Sequence, residues 1–339
     1  MSLRVGLVGT GWVGLARHLP SLRSHPGAEV VAVLDRRPER AAAVAREHRI
    51  PAWDGELEAF LARDLDVISV ATPPWTHAEI SSAALARGIH VFTEKPMAMD
   101  LREARSMVDA ADDAGRLLCV SHNFLYSRAV AKAKRFLGAR PTLRYAAAIQ
   151  LSSLRRRLPT WYTRLPAGLL FDEMPHLIYL MQYFLGPLEV EHVRGTGRSG
   201  IDSGAVEVLV RGERGPGQIA MVLDAPVSEW QVALVSDRGA VALDLFRDIA
   251  VRVHPDGEHK AADILRTSAS MLGDHAAGFV ASGARYLPGR LFWGHDVLIR
   301  KFLDAVLTGG PSPVSSQEAL GVVEVAEKIV DSLSEPTAR

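Results

Sequence analysis

Leu3-Arg-Val-Gly-Leu-Val-Gly9-Thr10-Gly11-Trp12-Val13-Gly14 is a short apolar run that breaks into a glycine-rich turn and then into helical spacing at Leu15, Leu19 and Leu22. Strand, G-x-G-x-x-G loop and helix follow in the order that dinucleotide binding requires. Gly9 lets the chain turn tightly, Gly11 lets the backbone approach a pyrophosphate, and Gly14 lets the helix pack closely on the strand. The free amides at the helix start then hold the phosphates. A second apolar run, Glu29-Val-Val-Ala-Val-Leu34, ends in Asp35, about twenty residues past the loop, where a carboxylate takes the adenosine ribose hydroxyls. Together these residues predict a nicotinamide or flavin dinucleotide site. The alternative is a plain glycine turn between a strand and a helix.

Length and charge bound the rest. A chain of 339 residues exceeds what one core usually serves, which predicts two domains, 1–122 and 123–339. Lys plus Arg total 39 and Asp plus Glu total 39, so no global field draws the chain to nucleic acid or to an anionic membrane, and neither is expected as a partner. No apolar stretch approaches the roughly 18 residues of a membrane span, and Met1-Ser-Leu-Arg4 leads straight into the first strand, so a cytoplasmic location is expected. The single cysteine, Cys119, lies in the apolar run Leu117-Leu-Cys-Val and reads as a small buried hydrophobe. No metal site is read from the sequence.

In the first third, apolar runs at 4–8, 30–34, 66–71, 89–92 and 117–121 alternate with helical patterns at 12–24, 38–47, 76–87 and 101–114. Such alternation predicts a doubly wound parallel sheet. Beyond residue 122 the pattern changes to a helix over 127–137, a strand over 144–151, an Arg-rich loop, and a helix over about 175–184. Strand candidates follow at 190–195, 205–210, 218–223, 230–235, 241–245 and 249–253. The fold class is thus α/β: an N-terminal doubly wound parallel sheet, then an α+β domain with a mostly antiparallel sheet. Apolar residues recur through 264–280 as one imperfect helical stripe, and a final helix spans about 316–333. Val206, Val208 and Val210, with Ile219, Met221 and Leu223 on a neighbouring strand, predict an apolar sheet face that a homodimer or homotetramer covers.

Three further stretches narrow the chemistry: Thr72-Pro73-Pro74-Trp75-Thr76-His77, then Thr93-Glu94-Lys95-Pro96, then Gly168-Leu-Leu-Phe-Asp172-Glu-Met-Pro-His176. With the glycine loop, Asp35 and the closing Phe302-Leu-Asp-Ala-Val306 helix, they make the chain resemble the Gfo/Idh/MocA family of glucose-fructose oxidoreductase and inositol dehydrogenase over nearly its whole length. The resemblance implies a Rossmann domain followed by an open-faced mixed sheet, and assembly through that sheet. It also implies NAD(P)-dependent oxidation or reduction of a sugar, cyclitol or related polyol. The chain departs from the family at Met174, where a glycine is usual.

Lys95, at the carboxyl end of a parallel strand, presents an ammonium that can stabilise a developing alkoxide and relay a proton; the bland reading is a surface pair with Glu94. Asp172 and His176 are four apart, hence on one helical face, where a carboxylate can orient an imidazole acting as general base. Two readings of Asp172 compete, because it could instead cap a helix starting near Glu173. His77 opens the helix after the Pro-Pro loop and holds that loop, so Thr72, Pro73, His77, Glu94 and Lys95 join the expected coenzyme contacts. Trp12 either covers the pyrophosphate or packs in the core. Arg36 and Arg37 follow Asp35, and Arg36 could meet a 2′-phosphate that Asp35 repels, so NAD(H) is favoured and NADP(H) possible. Arg155, Arg156, Arg157 and Arg164 read either as a solvated loop or as a contact for substrate phosphate, as on a nucleotide sugar. The expected function is interconversion of a secondary alcohol and a ketone on a sugar, cyclitol or nucleotide sugar. The rivals are a catalytically silent sensor on the same fold and a reductase of imines or enones.

Overall fold

The computed structural model describes residues 2–138, 141–156, 158–195, 204–255, 258–287, 289 and 293–334. Two compact units emerge, the first of residues 1–123 and 295–323, the second of 124–294 and 324–339. The expectation of a single boundary after residue 122 is corrected here, since the chain returns to the first unit at His295. The return is held by packing. Phe302 lies with its ring centroid 5.6 Å from that of Phe92, and His25 Nε2 is 3.0 Å from an Asp304 carboxylate oxygen.

The first unit is built on β1 (Leu3–Val8), β2 (Ala28–Leu34), β3 (Ala52–Asp54), β4 (Val67–Val70), β5 (His90–Thr93) and β6 (Leu118–Val120). All are parallel, in the order β3-β2-β1-β4-β5-β6. The strand order reverses between β1 and β4, and ligands of such sheets bind beyond the carboxyl ends of the strands at that reversal. A wide-turned helical segment at Gly14–His18 runs into α1 (Leu19–Arg23), and α2 (Pro38–Glu47), α3 (Leu57–Leu61), α4 (His77–Leu85) and α5 (Leu101–Ala114) complete the winding. Pro38 opens α2, while Asp100 caps α5 by accepting from the Glu103 amide at 2.7 Å. The short β3 and α3 went unread in the sequence because three and five residues carry no measurable periodicity.

The second unit contains α6 (Arg128–Leu137), β7 (Leu143–Leu151), α7 (Gly168–Leu185) and β8 (Glu189–Gly195). It continues with β9 (Ala205–Gly212), β10 (Gly215–Val222), β11 (Glu229–Ser236), β12 (Gly239–Asp244), β13 (Ile249–Val253) and α8 (Ala261–Tyr286). After it come α9 (His295–Thr308) and α10 (Ser316–Ser334). The sheet order is β13-β12-β11-β7-β10-β9-β8, antiparallel except for the β7–β10 pair, hence mixed.

Two expectations change here. Val206, Val208, Val210, Ile219, Met221 and Leu223 are all buried within the chain itself, on the sheet face toward α7, so they are not an open patch. The outward face instead exposes Tyr145, Ile149, Leu209 and Val235. Further, α7 begins at Gly168 and not near Pro175. Ala167 and Gly168, at φ 62° and 52°, turn the chain sharply into it. Every residue of α7 except Gln182 and Tyr183 is buried. Burial of Leu169, Leu170 and Phe171 outweighs the cost, about 3 kcal/mol, of a proline inside a helix.

One ion cluster around buried Asp274 ties α8 to the sheet edge. Asp274 accepts from the Arg252 amide at 2.9 Å and from its Nε at 2.8 Å, and lies 2.8 Å from Lys132 Nζ. The Arg252 hydrogen bond, against the opposing cost of burial and with Lys132 and the Arg252 amide, holds the Asp274 carboxyl far below the usual range. A depressed folded pKa stabilises the protein above the unfolded carboxyl's pKa of about 3.9 and is lost as pH falls toward the folded value. Asp274→Ala should therefore lower the unfolding free energy by about 1–2 kcal/mol at pH 7, less than for a fully buried pair because Arg252 and Lys132 keep access to water. Urea titration of both proteins at pH 7 and below pH 4 should show that difference shrinking in acid.

Candidate functional site

The glycine loop meets the chemistry of a dinucleotide position by position. Gly9, at φ +93°, lies against β4, where a Cβ would come 2.6 Å from the Ala71 carbonyl oxygen, and a Cβ on Gly14 would overlap the Gly9 carbonyl. Both glycines are demanded by the chain's own packing. Gly11 is different: its Cβ would meet nothing nearer than the Ala71 carbonyl oxygen at 4.0 Å. Its missing side chain leaves open space over the loop, which a pyrophosphate can fill. Trp12 is 48% exposed, so it is no core residue, and the Arg17 guanidinium stands 4.8 Å from its ring centroid. Val13 is half-buried beside it.

Asp35 is built into the same loop. Its carboxylate accepts from the Thr10 hydroxyl, from the Thr10 amide at 3.2 Å and from the Arg37 amide at 3.1 Å. Burial pushes the carboxyl up, but these bonds and the Arg40 charge outweigh it and hold Asp35 ionised, below its ordinary value. The guanidinium groups beside it belong to Arg37 at 3.8 Å and Arg40 at 3.9 Å, while Arg36 is exposed. Arg40 also donates to the Thr10 carbonyl. Sequence reading missed Arg40, although it lies five residues past the acidic residue on the first turn of α2.

The loops after β4 and β5 are joined by one ring. His77, fully buried, has Nδ1 2.8 Å from the Pro96 carbonyl oxygen and Nε2 2.9 Å from that of Thr72. Burial pushes its imidazole down against the pull of the two carbonyls. It thereby links the Thr72-Pro73 segment to the turn that carries half-buried Lys95. Glu94, expected among the coenzyme contacts, points inward. Its carboxylate lies 2.9 Å from His18 Nε2 and 3.5 Å from His295 Nε2, and it accepts the Lys95 amide at 3.3 Å. His18 Nδ1 is in turn 2.8 Å from Ser69 Oγ. Burial pushes Glu94 up, yet the two histidines hold it well below its usual range. No periodicity in the sequence could connect Glu94 to His295.

In the second unit, α7 places Asp172 and His176 one turn apart, both buried. Asp172 lies in the helix interior, not at its N-cap. His176 Nδ1 is 3.0 Å from the Tyr179 hydroxyl, which also accepts from the Phe124 amide at 3.2 Å. Rings of Phe124 at 5.2 Å and Trp230 at 5.0 Å pack against the imidazole. Tyr179, three residues on, was legible from helical spacing and went unread. Glu173 faces the sheet, where it accepts from Ser152 Oγ at 2.6 Å and from the Gln150 side-chain Nε2 and pairs with Arg156. Arg156 is thus engaged inside the fold, with Asp172 adding to the negative field around it. Arg155 and Arg164 are exposed, and Arg157 lies outside the described residues.

Residues 3–122 match the model of an oxidoreductase family with an NAD-binding Rossmann fold, Gfo/Idh/MocA. A protein of Amycolatopsis mediterranei (strain S699), described as the oxidoreductase subunit of a UDP-kanosamine synthase, is 32% identical over 276 residues, 78% of this chain and 75% of that protein. The chain belongs to the Gfo/Idh/MocA family. It is an oxidoreductase on an NAD-binding fold, and the space over Gly11 with Asp35 at the end of β2 fits that coenzyme. Another member of the family, inositol 2-dehydrogenase 4 of Saccharopolyspora erythraea, is 34% identical over 207 residues, 57% of this chain and 58% of that one. The solved structure of levoglucosan dehydrogenase with NADH shares the fold, with a TM-score of 0.79 over 98% of this chain and 97% of that one at 19% identity. Among the described residues, no group of His, Cys, Asp and Glu could hold a metal ion, and no helix is long and apolar enough to cross a membrane.

Close to Glu94 in this network, His122 is buried and its imidazole is pushed down to about 3 by burial, against the attraction of Glu94. The folded protein keeps it neutral, whereas the unfolded chain takes up a proton below about pH 6.5. Its contribution to stability is therefore complete above pH 6.5 and declines as pH falls toward 3. The urea midpoint should drop between pH 7.5 and pH 5, and His122→Gln should flatten that drop. An equal drop in both proteins would assign the effect elsewhere.

Proposed function

We propose that this protein is an NAD-dependent dehydrogenase that interconverts a secondary alcohol and a ketone on a sugar, cyclitol or nucleotide-sugar ring. NAD, when bound, supplies the hydride acceptor. The chain's own residues handle the proton and the charge. His176 takes the hydroxyl proton, Lys95 stabilises the developing alkoxide, and Asp172 supports the imidazolium that forms. The observation that carries this reading is the held imidazole. Nδ1 lies 3.0 Å from the Tyr179 hydroxyl and the rings of Phe124 and Trp230 pack against the imidazole; in the tautomer whose Nδ1–H donates to that hydroxyl, Nε2 is the base. The names of relatives carry compounds of this class, UDP-kanosamine, an inositol and levoglucosan, which supports the reading. The outward sheet face with Tyr145 and Ile149 supports assembly into a homo-oligomer, and a cytoplasmic setting suits a coenzyme of this kind.

Steady-state kinetics on an accepted polyol tests the proton assignment. His176→Ala and Lys95→Ala should each lower turnover about a hundredfold or more, the scale of a positioned acid or base, with NAD affinity unchanged. Alcohol oxidation should rise with pH through an ionisation that His176→Ala abolishes. Tyr179→Phe should cause a smaller loss and displace that ionisation, a readout that a merely structural tyrosine would not move. Near-wild-type turnover in His176→Ala defeats the mechanism.

NAD is favoured over NADP because ionised Asp35 would repel a 2′-phosphate. Asp35→Ser should weaken NAD and relatively favour NADP, because the Arg37 and Arg40 guanidinium groups beside position 35 then face the phosphate without the opposing carboxylate. Titration of both coenzymes against both proteins measures the ratio, and an unchanged ratio removes Asp35 from the ribose site.

A further inference from the structure

Helix α8 is inverted relative to an ordinary surface helix. The side that faces its own unit is polar or small: Asp274 in its ion cluster, Ser282 Oγ 3.4 Å from the Asp248 carbonyl oxygen, Arg285 3.9 Å from the Asp248 carboxylate, and Gly278 against Ile249. Its apolar side faces out. Leu265, Leu272, Phe279 and Tyr286 recur every seven residues and are 71%, 72%, 66% and 66% exposed. Between them, at the alternating three- and four-residue steps of a coiled-coil seam, come Ala262, Ala269, Ala276 and Gly283. Gly283 is not required by the chain's own packing, since a Cβ there meets nothing within 4 Å. A glycine inside a helix costs about 1 kcal/mol relative to alanine.

We propose that α8 is a self-association surface that pairs antiparallel with α8 of a second copy of this chain. The pattern is complementary to itself. With a two-fold axis at the level of residue 274, Tyr286 meets Ala262, Leu265 meets Gly283, Phe279 meets Ala269, and Leu272 meets Ala276 of the second copy. Each large side chain then enters the space above a small one, and the same patch serves both copies, as a closed two-fold interface demands. With Val280 and Leu287, 68% and 87% exposed, the stripe offers on the order of 800 Å² per copy, about what one partner buries in a stable interface. A membrane surface fits less well. The helix carries two acidic and two basic residues, Asp263, Asp274, Arg266 and Arg285, and lacks the basic polar face that surface-lying helices use. This surface is separate from the outward sheet face, so the two together would build a tetramer from dimers.

Sedimentation velocity of the full chain tests the pairing, and its readout does not depend on catalysis. Leu272→Glu combined with Phe279→Glu should halve the mass of the wild-type assembly, with NAD binding and helicity retained. In a mixture of Leu265→Cys and Gly283→Cys proteins, a short bismaleimide should cross-link one to the other. Leu265→Cys alone should not cross-link, because the two copies of residue 265 lie 18 residues apart in this register, about 27 Å along the helix. Buried Cys119, its thiol pushed up to about 12 by burial, stays silent. An unchanged mass in the double variant overturns the proposal, as does efficient cross-linking of Leu265→Cys to itself. Sedimentation of wild type with phosphatidylcholine vesicles, lost in the double variant while the mass stays the same, would also overturn it in favour of a lipid surface.

Discussion

Gly14 lies so close to the Gly9 carbonyl that no side chain fits between them, and Gly9 in turn sits over the Ala71 carbonyl at the end of β4. This triple backbone contact fixes where the first helix begins relative to β1 and β4, and the rest of the coenzyme half follows from it. It leaves Gly11 open to the space above the strands. It also brings Thr10 within reach of Asp35, so that a carboxylate at the end of β2 is held ionised beside the loop. A residue larger than glycine at position 14 would displace all of these together.

The second unit uses burial to make a polar centre rigid. Helix α7 is enclosed almost throughout, which forces each of its polar side chains to find a partner in the protein. Glu173 finds Ser152, Gln150 and Arg156, and His176 finds Tyr179. The imidazole is held by a hydroxyl at Nδ1 and by the rings of Phe124 and Trp230, which pack against it edge-on and tilted. Such preorganisation is what general-base chemistry needs, because the group meets its proton without first having to be ordered.

Much of this was legible in the sequence, for identifiable reasons. The starts of α2 and α5 followed from Pro38 and Asp100, whose effects are local, and β13 followed from β-branched residues at alternate positions, Ile249, Val251 and Val253. Helix α7 was misplaced because Pro175 reads as a helix start, while the burial that keeps it in a helix interior depends on a sheet far along the chain. The faces of the second sheet were assigned the wrong way round, since alternation shows that two faces exist and not which one a helix covers. For the site, the motif residues were visible at fixed spacings. His18 and His295, which hold Glu94, were not, because they reach it across 76 and roughly 200 residues of chain.

The central claim is that the chain turns over a ring alcohol and does not merely bind coenzyme. The most direct measurement is absorbance at 340 nm with purified wild-type protein, NAD and a panel of UDP-sugars, inositols and anhydro-sugars, alongside a separate titration of NAD binding. The account predicts NADH formation with at least one of these ring alcohols. Saturable NAD binding with no NADH from any member of the panel would contradict it and leave a coenzyme-binding sensor in its place.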